Sequence, residues 1–417
     1  MREARATETD TSVAAARILT DAAAELLRLG QFAQAAELAR LALAEHEAMP
    51  TAHGVLAATL DETGDQREAM AHWQRAAALA PREPQFAFNL ALALLLRGRY
   101  REGLRHYEAR MLHGERWISL AAKGSFEGLH HRMPRPGDDL RGKNVLVFTE
   151  QGLGDCLWAA RWLPALAGTG ARVTLACRPT LRPLLASVPG VEAVVTPPPD
   201  QPQAKINLGM LSGRFQHFLP IMSLPWILGV DETDLLRGAA LPWCRPDPDR
   251  VAHWRHRYET AAPGARRRVG LVWRVNPESA SYYQRLLPLR DFAALARADV
   301  QVINLQGGVS EGRQALASVV PGCLDPLTDG EPPLNEYAAM LAATDLLLTT
   351  DTMPAHLAGS IGHPCHVAVP AAPAFYWVLG RDDSPWYPRM RLFRQARRGD
   401  WTAPIAAMIA AGLELPT

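Results

Sequence analysis

The sequence predicts an α + α/β chain: N-terminal helical repeats followed by two Rossmann-like domains. Three observations carry that expectation. Gly30, Gly64 and Gly98 recur at a spacing of 34 residues, each before a similar helix. From Asn144, and again from Val269, apolar strand-like runs alternate with helical patterns, which signals parallel sheets with helical crossovers. A stretch rich in Pro and Arg, residues 241–268, divides the two alternating runs. A chain of 417 residues is long enough for about two to three domains.

The repeats come first. After the glycines stand QFAQAAELA, DQREAMAHW and RYREGLRHY, with Ala35, Ala69 and Gly103 at one phase and Pro50 and Pro84 again 34 apart. A helix pair of this size cannot bury its apolar face alone, so neighbours stack, and small residues let helices approach. Paired helices, a turn glycine and this period are the tetratricopeptide signature, assigned to residues 14–111, with 1–13 as a disordered or frayed start. Such an array holds a peptide or protein segment on its concave face, or caps the following domain. Residues 112–143 mix Gly, Pro and charge without a period and read as a linker packed by Trp117 and Phe126. His130 and His131 are adjacent and cannot share a helix face, so they read as linker residues, not metal ligands.

The first α/β half is assigned to residues 144–240. NVLVFT reads as a buried strand, EQGLGD as a turn and CLWAARWLPALAG as a helix; RVTLACR, PTLRPLLASV and EAVVT continue the alternation. Gly152 and Gly154 remove side chains at the strand-to-helix turn, where a ligand or another backbone can come close. Asp155 then begins the helix, and the dipole there favours its ionised form. It reads as an N-cap or as a general base at the mouth of a cleft.

Residues 241–268 read as a hinge with one polar helix, and 269–417 as the second half. RRVGLVW, VQVINLQ and CHVAVP are strands, with helices at LRDFAALAR and NEYAAMLAAT; the last helix, WTAPIAAMIAAGL, can pack on either half. The most informative joint is LLLTTDTMPAHLAGSIGHP, residues 346–364. Leu346–Leu348 lack charge and suit a strand buried on both faces. Thr352 is a good N-cap, Pro354 fits the first helical turn, and Gly362 with Pro364 ends the helix. Backbone N–H groups then aim out of the carboxyl edge of a sheet, where phosphate is the usual ligand.

The net charge of +1 gives no reason to expect nucleic acid or an anionic membrane as partner. The five cysteines are scattered, with no C-x-x-C pair, which argues against a disulfide framework or a structural zinc site. No apolar run reaches transmembrane length and MREARATETD is too polar for a secretory leader, so a cytoplasmic location is expected.

Several stretches together resemble bacterial tetratricopeptide-repeat proteins fused to a heptosyltransferase-like glycosyltransferase domain of the GT-B fold. They are EQGLGD with Arg161 and Pro164 downstream, MSLPWILGV, VGLVW-x-x-NP, RLLPL, TDTMPAHLAGSIGHP and GRDDSPWYPRMRLFRQ. They cover most of residues 145–400, and the last two are the most diagnostic. The resemblance implies an acceptor domain, then a donor domain that holds a nucleotide-sugar as substrate, with no metal and no further cofactor. It implies Asp155 as catalytic base and Asp351, Thr352, His356 and Arg285 at the donor, Arg285 near its phosphates. Gly152, Gly154, Arg161, Asn276, Tyr282 and Tyr283 become candidates for lining the cleft, and the repeats would hold an acceptor or partner protein. Departures from the family pattern remove charge and add aromatic surface. Ser279, Ser281, Tyr282 and Tyr283 stand where a His and an Asn-Asp-Arg group are usual, Leu286 replaces a Ser, Trp158 and Ala159 replace Gln and Phe, and Ala374–Trp377 replaces Asp-Trp-Arg-Trp. An inactive GT-B-like scaffold and a nucleotide-sugar isomerase are the alternative functions.

Overall fold

The computed structural model describes residues 2–112, 126–198, 200–202, 204–234, 242–279, 282–307, 310–327 and 332–414. It divides into two compact units, residues 1–114 and 115–417.

The first unit is helical. Its elements are α1 (Arg2–Arg28), α2 (Phe32–Glu45), α3 (Pro50–Thr63), α4 (Gln66–Leu79), α5 (Pro84–Leu96) and α6 (Tyr100–Tyr107). Gly30, Gly64 and Gly98 lie in the connections α1–α2, α3–α4 and α5–α6 with φ of 76°, 92° and 76°, the left-handed region in which a glycine ends a helix without Cβ strain. Pro50 and Pro84 open α3 and α5, where a missing N–H leaves no bond unmade. Ala35 and Ala69 are fully buried, and a side chain at Gly103 would collide with Leu95. Residues 2–13, expected to be frayed or disordered, are part of α1.

The second unit holds two parallel sheets. The first has β1 (Asn144–Phe148), β2 (Arg172–Ala176), β3 (Val191–Val195) and β4 (His217–Pro220) in the order β3-β2-β1-β4. Between them run α7 (Leu153–Ala160), α8 (Leu163–Gly168) and α9 (Arg182–Leu185), and α10 (Leu224–Ile227) follows β4. The second sheet has β5 (Arg267–Val272), β6 (Val300–Asn304), β7 (Leu346–Thr350), β8 (Cys365–Val369) and β9 (Met390–Arg394) in the order β6-β5-β7-β8-β9. Its helices are α11 (Pro248–Ala261), α12 (Ser310–Val319), α13 (Leu334–Ala342), α14 (Met353–Ser360) and α15 (Thr402–Glu414). Every residue of β7 and β8 is buried, as the uncharged runs LLLTT and CHVAV require of central parallel strands. In each sheet the strand order reverses beside the first strand, between β1 and β4 and between β5 and β7.

Three boundaries differ from the sequence expectation. Residues 126–143 belong to the first sheet, not to a free linker: Phe126 packs edge-on against Phe148 at 5.1 Å, and Arg132 donates to the carbonyls of Ser212, Phe215 and Gln216. Trp117 lies outside the described residues. The hinge segment carries α11, which buries Trp254 and Tyr258 and packs on α13 of the second half. LRDFAALAR forms a 3-10 helix, Leu289–Leu295, instead of an α-helix. The last helix, α15, joins the core of the second sheet, where Ile405 and Met408 pack with Leu346 and Leu348. No helix among the described residues is long and apolar enough to cross a membrane.

Candidate active site between the two sheets

A cavity of about 340 Å³ opens at the carboxyl ends of β5, β6 and β7. This is the strand-order switch of the second sheet, where two neighbouring loops leave in opposite directions and part to form a crevice. Its wall includes Val272 at the end of β5, Arg274 and Asn276 after it, Gln306 after β6, Tyr337 on α13 and Thr352 at the start of α14. Leu153 and Thr180 close it from the first half. Gln306 fixes the floor, its Oε1 accepting from the backbone N–H groups of Trp273 at 3.2 Å and Arg274 at 3.0 Å. Tyr337 donates to the Leu305 carbonyl at 2.6 Å.

Two helix N-termini meet beside this cavity. Helix α7 follows β1 through a turn in which Gln151 has φ of 60°, a left-handed conformation uncommon for a side-chain-bearing residue. Helix α14 follows β7. The two pack against each other at Gly154. A methyl there would lie 2.9 Å from His356 Cδ2 and 3.5 Å from Met353 Cα, so glycine permits the approach.

Asp155 stands at the third position of α7, not at its N-cap, which is Gly152. One carboxylate oxygen accepts from the Gly152 N–H at 2.8 Å, and the other accepts from the hydroxyl of Tyr376 in the second half. Burial pushes this carboxyl above the usual carboxylate range, against the pull of Tyr376 and Gly152. The position at the helix start favours the charged form, as expected, while desolvation, the largest influence on this carboxyl, opposes it.

Asp351, at the end of β7, is buried, and burial raises its pKa while Arg285 opposes the rise. Arg285 Nη1 donates to the Asp351 carbonyl at 2.8 Å and stands 3.6 Å from its carboxylate. This guanidinium therefore braces the β7–α14 turn and is not in the cavity wall. Arg274 is the cation that lines the cavity. Thr352 occupies the N-cap position and the wall, but its side chain makes no capping bond. Pro354 has no N–H, and that of Ala355 donates to the Thr352 carbonyl at 3.0 Å, so α14 offers the cavity at most the N–H groups of Thr352 and Met353.

His356 is buried behind the cavity. Its Nδ1 shares a hydrogen bond with the Tyr387 hydroxyl at 3.0 Å, and its ring stacks on Trp377 at 5.2 Å. Burial, then Arg161 and Arg285, push its pKa down to about 3, so it is a neutral imidazole. Arg161 is also buried and does not line the cleft. It donates to the carbonyls of Trp158 at 2.9 Å and Trp386 at 2.8 Å and lies over the Tyr387 ring at 4.5 Å. Its group spans the two halves, as do the edge contacts of Trp158 with Phe375 and Trp386. Trp158, Phe375, Tyr376 and Trp386 thus form a packed seam.

Of the candidate residues, Asn276 and Thr352 line the cavity; Gly152, Gly154 and Asp155 are chain neighbours of Leu153, which lines it, and are not themselves in the wall. Tyr282 and Tyr283 pack on each other at 5.2 Å, Tyr283 being 87% exposed, and neither is in the wall. Ser281 lies outside the described residues. Arg274, Gln306, Tyr337 and Tyr376 are additional to the sequence-based set. Arg274 had a local signal, a basic residue directly after a strand; Tyr376 had none, being 221 positions from Asp155.

No family model matches the chain. It is similar to Protein FlbA of Caulobacter vibrioides, 30% identical over 339 residues, which cover 78% of this chain and 54% of that protein. The chain therefore spans about half the length of the curated relative it matches. Among solved structures it is similar to a glycosyl transferase of family 9 from Veillonella parvula, with TM-score 0.47 and 12% identity over 66% of this chain and 98% of that one. It is also similar to the ADP-heptose lipopolysaccharide heptosyltransferase II of E. coli, with TM-score 0.45 and 14% identity over 65% and 99% of the two chains.

Proposed function

We propose that the α/β unit is an inverting glycosyltransferase. It takes a nucleotide-sugar at the cavity beside β5 and β7 and passes the sugar to an acceptor, a protein recruited by the tetratricopeptide-like repeats. The observation that carries this reading is the cavity itself. It sits at the strand-order switch, holds Arg274 and the start of α14 for a diphosphate, and is lined by Leu153, two residues before Asp155 on the opposing helix.

In the reaction, Asp155 accepts the proton of an acceptor hydroxyl as that oxygen bonds to the anomeric carbon. The bond from that carbon to the diphosphate oxygen breaks, and the nucleoside diphosphate leaves with the electron pair. Arg274 and the backbone N–H groups of Thr352 and Met353 stabilise the growing negative charge. The raised pKa of Asp155 suits a base, because a carboxyl of higher pKa holds the transferred proton better. The Tyr376 hydroxyl occupies one of its oxygens, and the acceptor hydroxyl takes that place on binding.

That same hydrogen bond favours a second reading, a binding scaffold in which Asp155 and Tyr376 tie the two halves together. A nucleotide-sugar isomerase would use the same donor cavity. A thermal-denaturation screen against nucleoside diphosphates and their sugars separates these functions from a module that binds no nucleotide. A true ligand at about a hundredfold over its Kd adds about 2.7 kcal/mol of stability. Product analysis with the stabilising nucleotide-sugar then distinguishes transfer, isomerisation and binding alone. A screen in which no nucleotide stabilises the chain overturns the proposal.

A further inference from the structure

A second cavity, of about 730 Å³, opens at the opposite edge of the second sheet. Strands β5, β7, β8 and β9 are parallel neighbours, so their first residues align along one edge. That alignment brings together Arg267 and Arg268 of β5, with Arg266 just before it, and Arg391 of β9, with Arg389 just before that strand; α11 adds Arg255. Six arginines thus line the cavity with one carboxylate, Asp345. His363 and His366 in its wall are neutral, their pKa values pushed down to about 3 and about 4, chiefly by burial.

Structural duties account for part of this charge. Asp345 pairs with Arg255 at 2.6 Å and lies 3.9 Å from Arg268. Arg267 and Arg389 donate to the carbonyls of Gly412 and Gly362 at the ends of α15 and α14, where a cation is favoured by the helix dipole. Arg266 and Arg391 are less fully engaged: among the described residues neither has a carboxylate within 4 Å, although Arg266 helps to lower the pKa of Asp299 and Arg391 lies opposite Asp383 in an isolated bridge. Arg391 is held over the Phe393 ring at 5.5 Å. Crowding six cations into a concavity with few carboxylates is unfavourable unless an anion occupies it, and guanidinium forks match phosphate oxygens in pairs.

We infer that this amino-edge cavity binds a small oligophosphate anion, at a site separate from the nucleotide-sugar cavity. The spacing selects the class. Arg391 belongs to β9 and Arg266 directly precedes β5, three steps away in the sheet, about 14 Å at the usual strand separation. At that separation a chain of phosphates lets each guanidinium engage its own phosphate, so that the two cations need not converge on one anion.

The test is calorimetric titration of the full chain with inorganic tripolyphosphate at about 0.15 M salt, with sulfate as the single-anion comparator. Two variants accompany the wild type: Arg266→Ala/Arg391→Ala, and Thr352→Leu in the other cavity. At this site tripolyphosphate is expected to bind wild type and Thr352→Leu alike, at least about tenfold tighter than sulfate, the variant removing any separate binding at the diphosphate cavity. The double arginine variant, checked for an unchanged melting temperature, should lose at least about tenfold in affinity, the scale of one charge-assisted hydrogen bond. An Arg266→Lys/Arg391→Lys variant, which keeps the charge, should fall between the two and covers the case in which the alanine variant does not fold. Three results overturn the site: no binding by wild type at millimolar tripolyphosphate, binding unchanged in both double variants, or loss in Thr352→Leu. Because that cavity lies at the other edge of the sheet, none of these outcomes depends on the proposed transferase activity.

Discussion

The joints that follow β1 and β7 are built from the same parts and finish differently. Each is a buried parallel strand, a short turn with an aspartate in or just after it, and a helix whose N-terminus packs on the other at Gly154. After β1 the aspartate lies inside the helix and closes on its own backbone at Gly152, leaving one oxygen for Tyr376. After β7 the aspartate precedes the helix, is buried with Arg285, and leaves the first turn of α14 beside an open cavity. A shift of a few residues in one acidic group therefore separates a joint that presents a carboxylate from a joint that presents backbone N–H groups. The first suits proton transfer and the second suits an anion.

The sharpest way to break this division of labour is to change the carboxylate alone. Asp155→Asn keeps the shape, and its amide oxygen can still accept from Gly152. If the first joint is the base, sugar transfer should fall by about a hundred- to ten-thousandfold, while nucleotide affinity, which belongs to the second joint, stays unchanged. Paired kinetics and calorimetry on the two proteins check this; undiminished transfer removes the base role.

The contact between the joints comes next. Gly154→Ala forces a methyl against His356, whose ring is fixed by Trp377 and Tyr387. Overpacking of this kind should cost about 1–3 kcal/mol, offset in part by the better helix propensity of alanine. Urea denaturation measures it, and an unchanged midpoint would mean that the helices are not held at this distance.

A smaller effect concerns pH. The folded state raises the pKa of Asp155 above its unfolded value, so the folded chain holds that proton more tightly. The associated stability is complete below the unfolded pKa and is lost as pH rises through the folded one. Asp155→Asn lacks this loss. The difference in stability between variant and wild type should therefore grow in favour of the variant from about pH 4 towards neutrality, as denaturation at several pH values would record. A difference that grows in the opposite direction would mean that the carboxylate is stabilised in its charged form.

Much of the second joint was legible because its determinants are local. The uncharged run at Leu346–Leu348, followed by Asp351, Thr352 and Pro354, specifies a buried strand, a turn and a helix within nine residues. Strands β4 and β9 were not legible as strands: HFLP contains a proline and is four residues long, and MRLFR carries two arginines, Arg391 and Arg394, without strict alternation at a sheet edge. The site was legible only as far as its backbone. Asn276 and Thr352 reach the cavity from strand ends, as their positions suggested. Arg161, His356 and Arg285 do not, because the direction of a long or buried side chain is set by partners distant in sequence, Trp386, Tyr387 and Asp351 among them. The Asp155–Tyr376 bond joins two halves of the unit, and no local pattern encodes it.

The most direct measurement of the central claim is nucleotide binding at the second joint. Calorimetric titration of wild type and Thr352→Leu with the nucleoside diphosphate identified by the stability screen compares the cavity with and without room at the start of α14. Thr352 makes no capping bond that leucine would break, so the variant should fold normally. The expected result is saturable binding to wild type and at least about a hundredfold weaker binding to the variant, about 2.7 kcal/mol. Equal affinity in the two proteins would contradict the assignment of the nucleotide to this cavity.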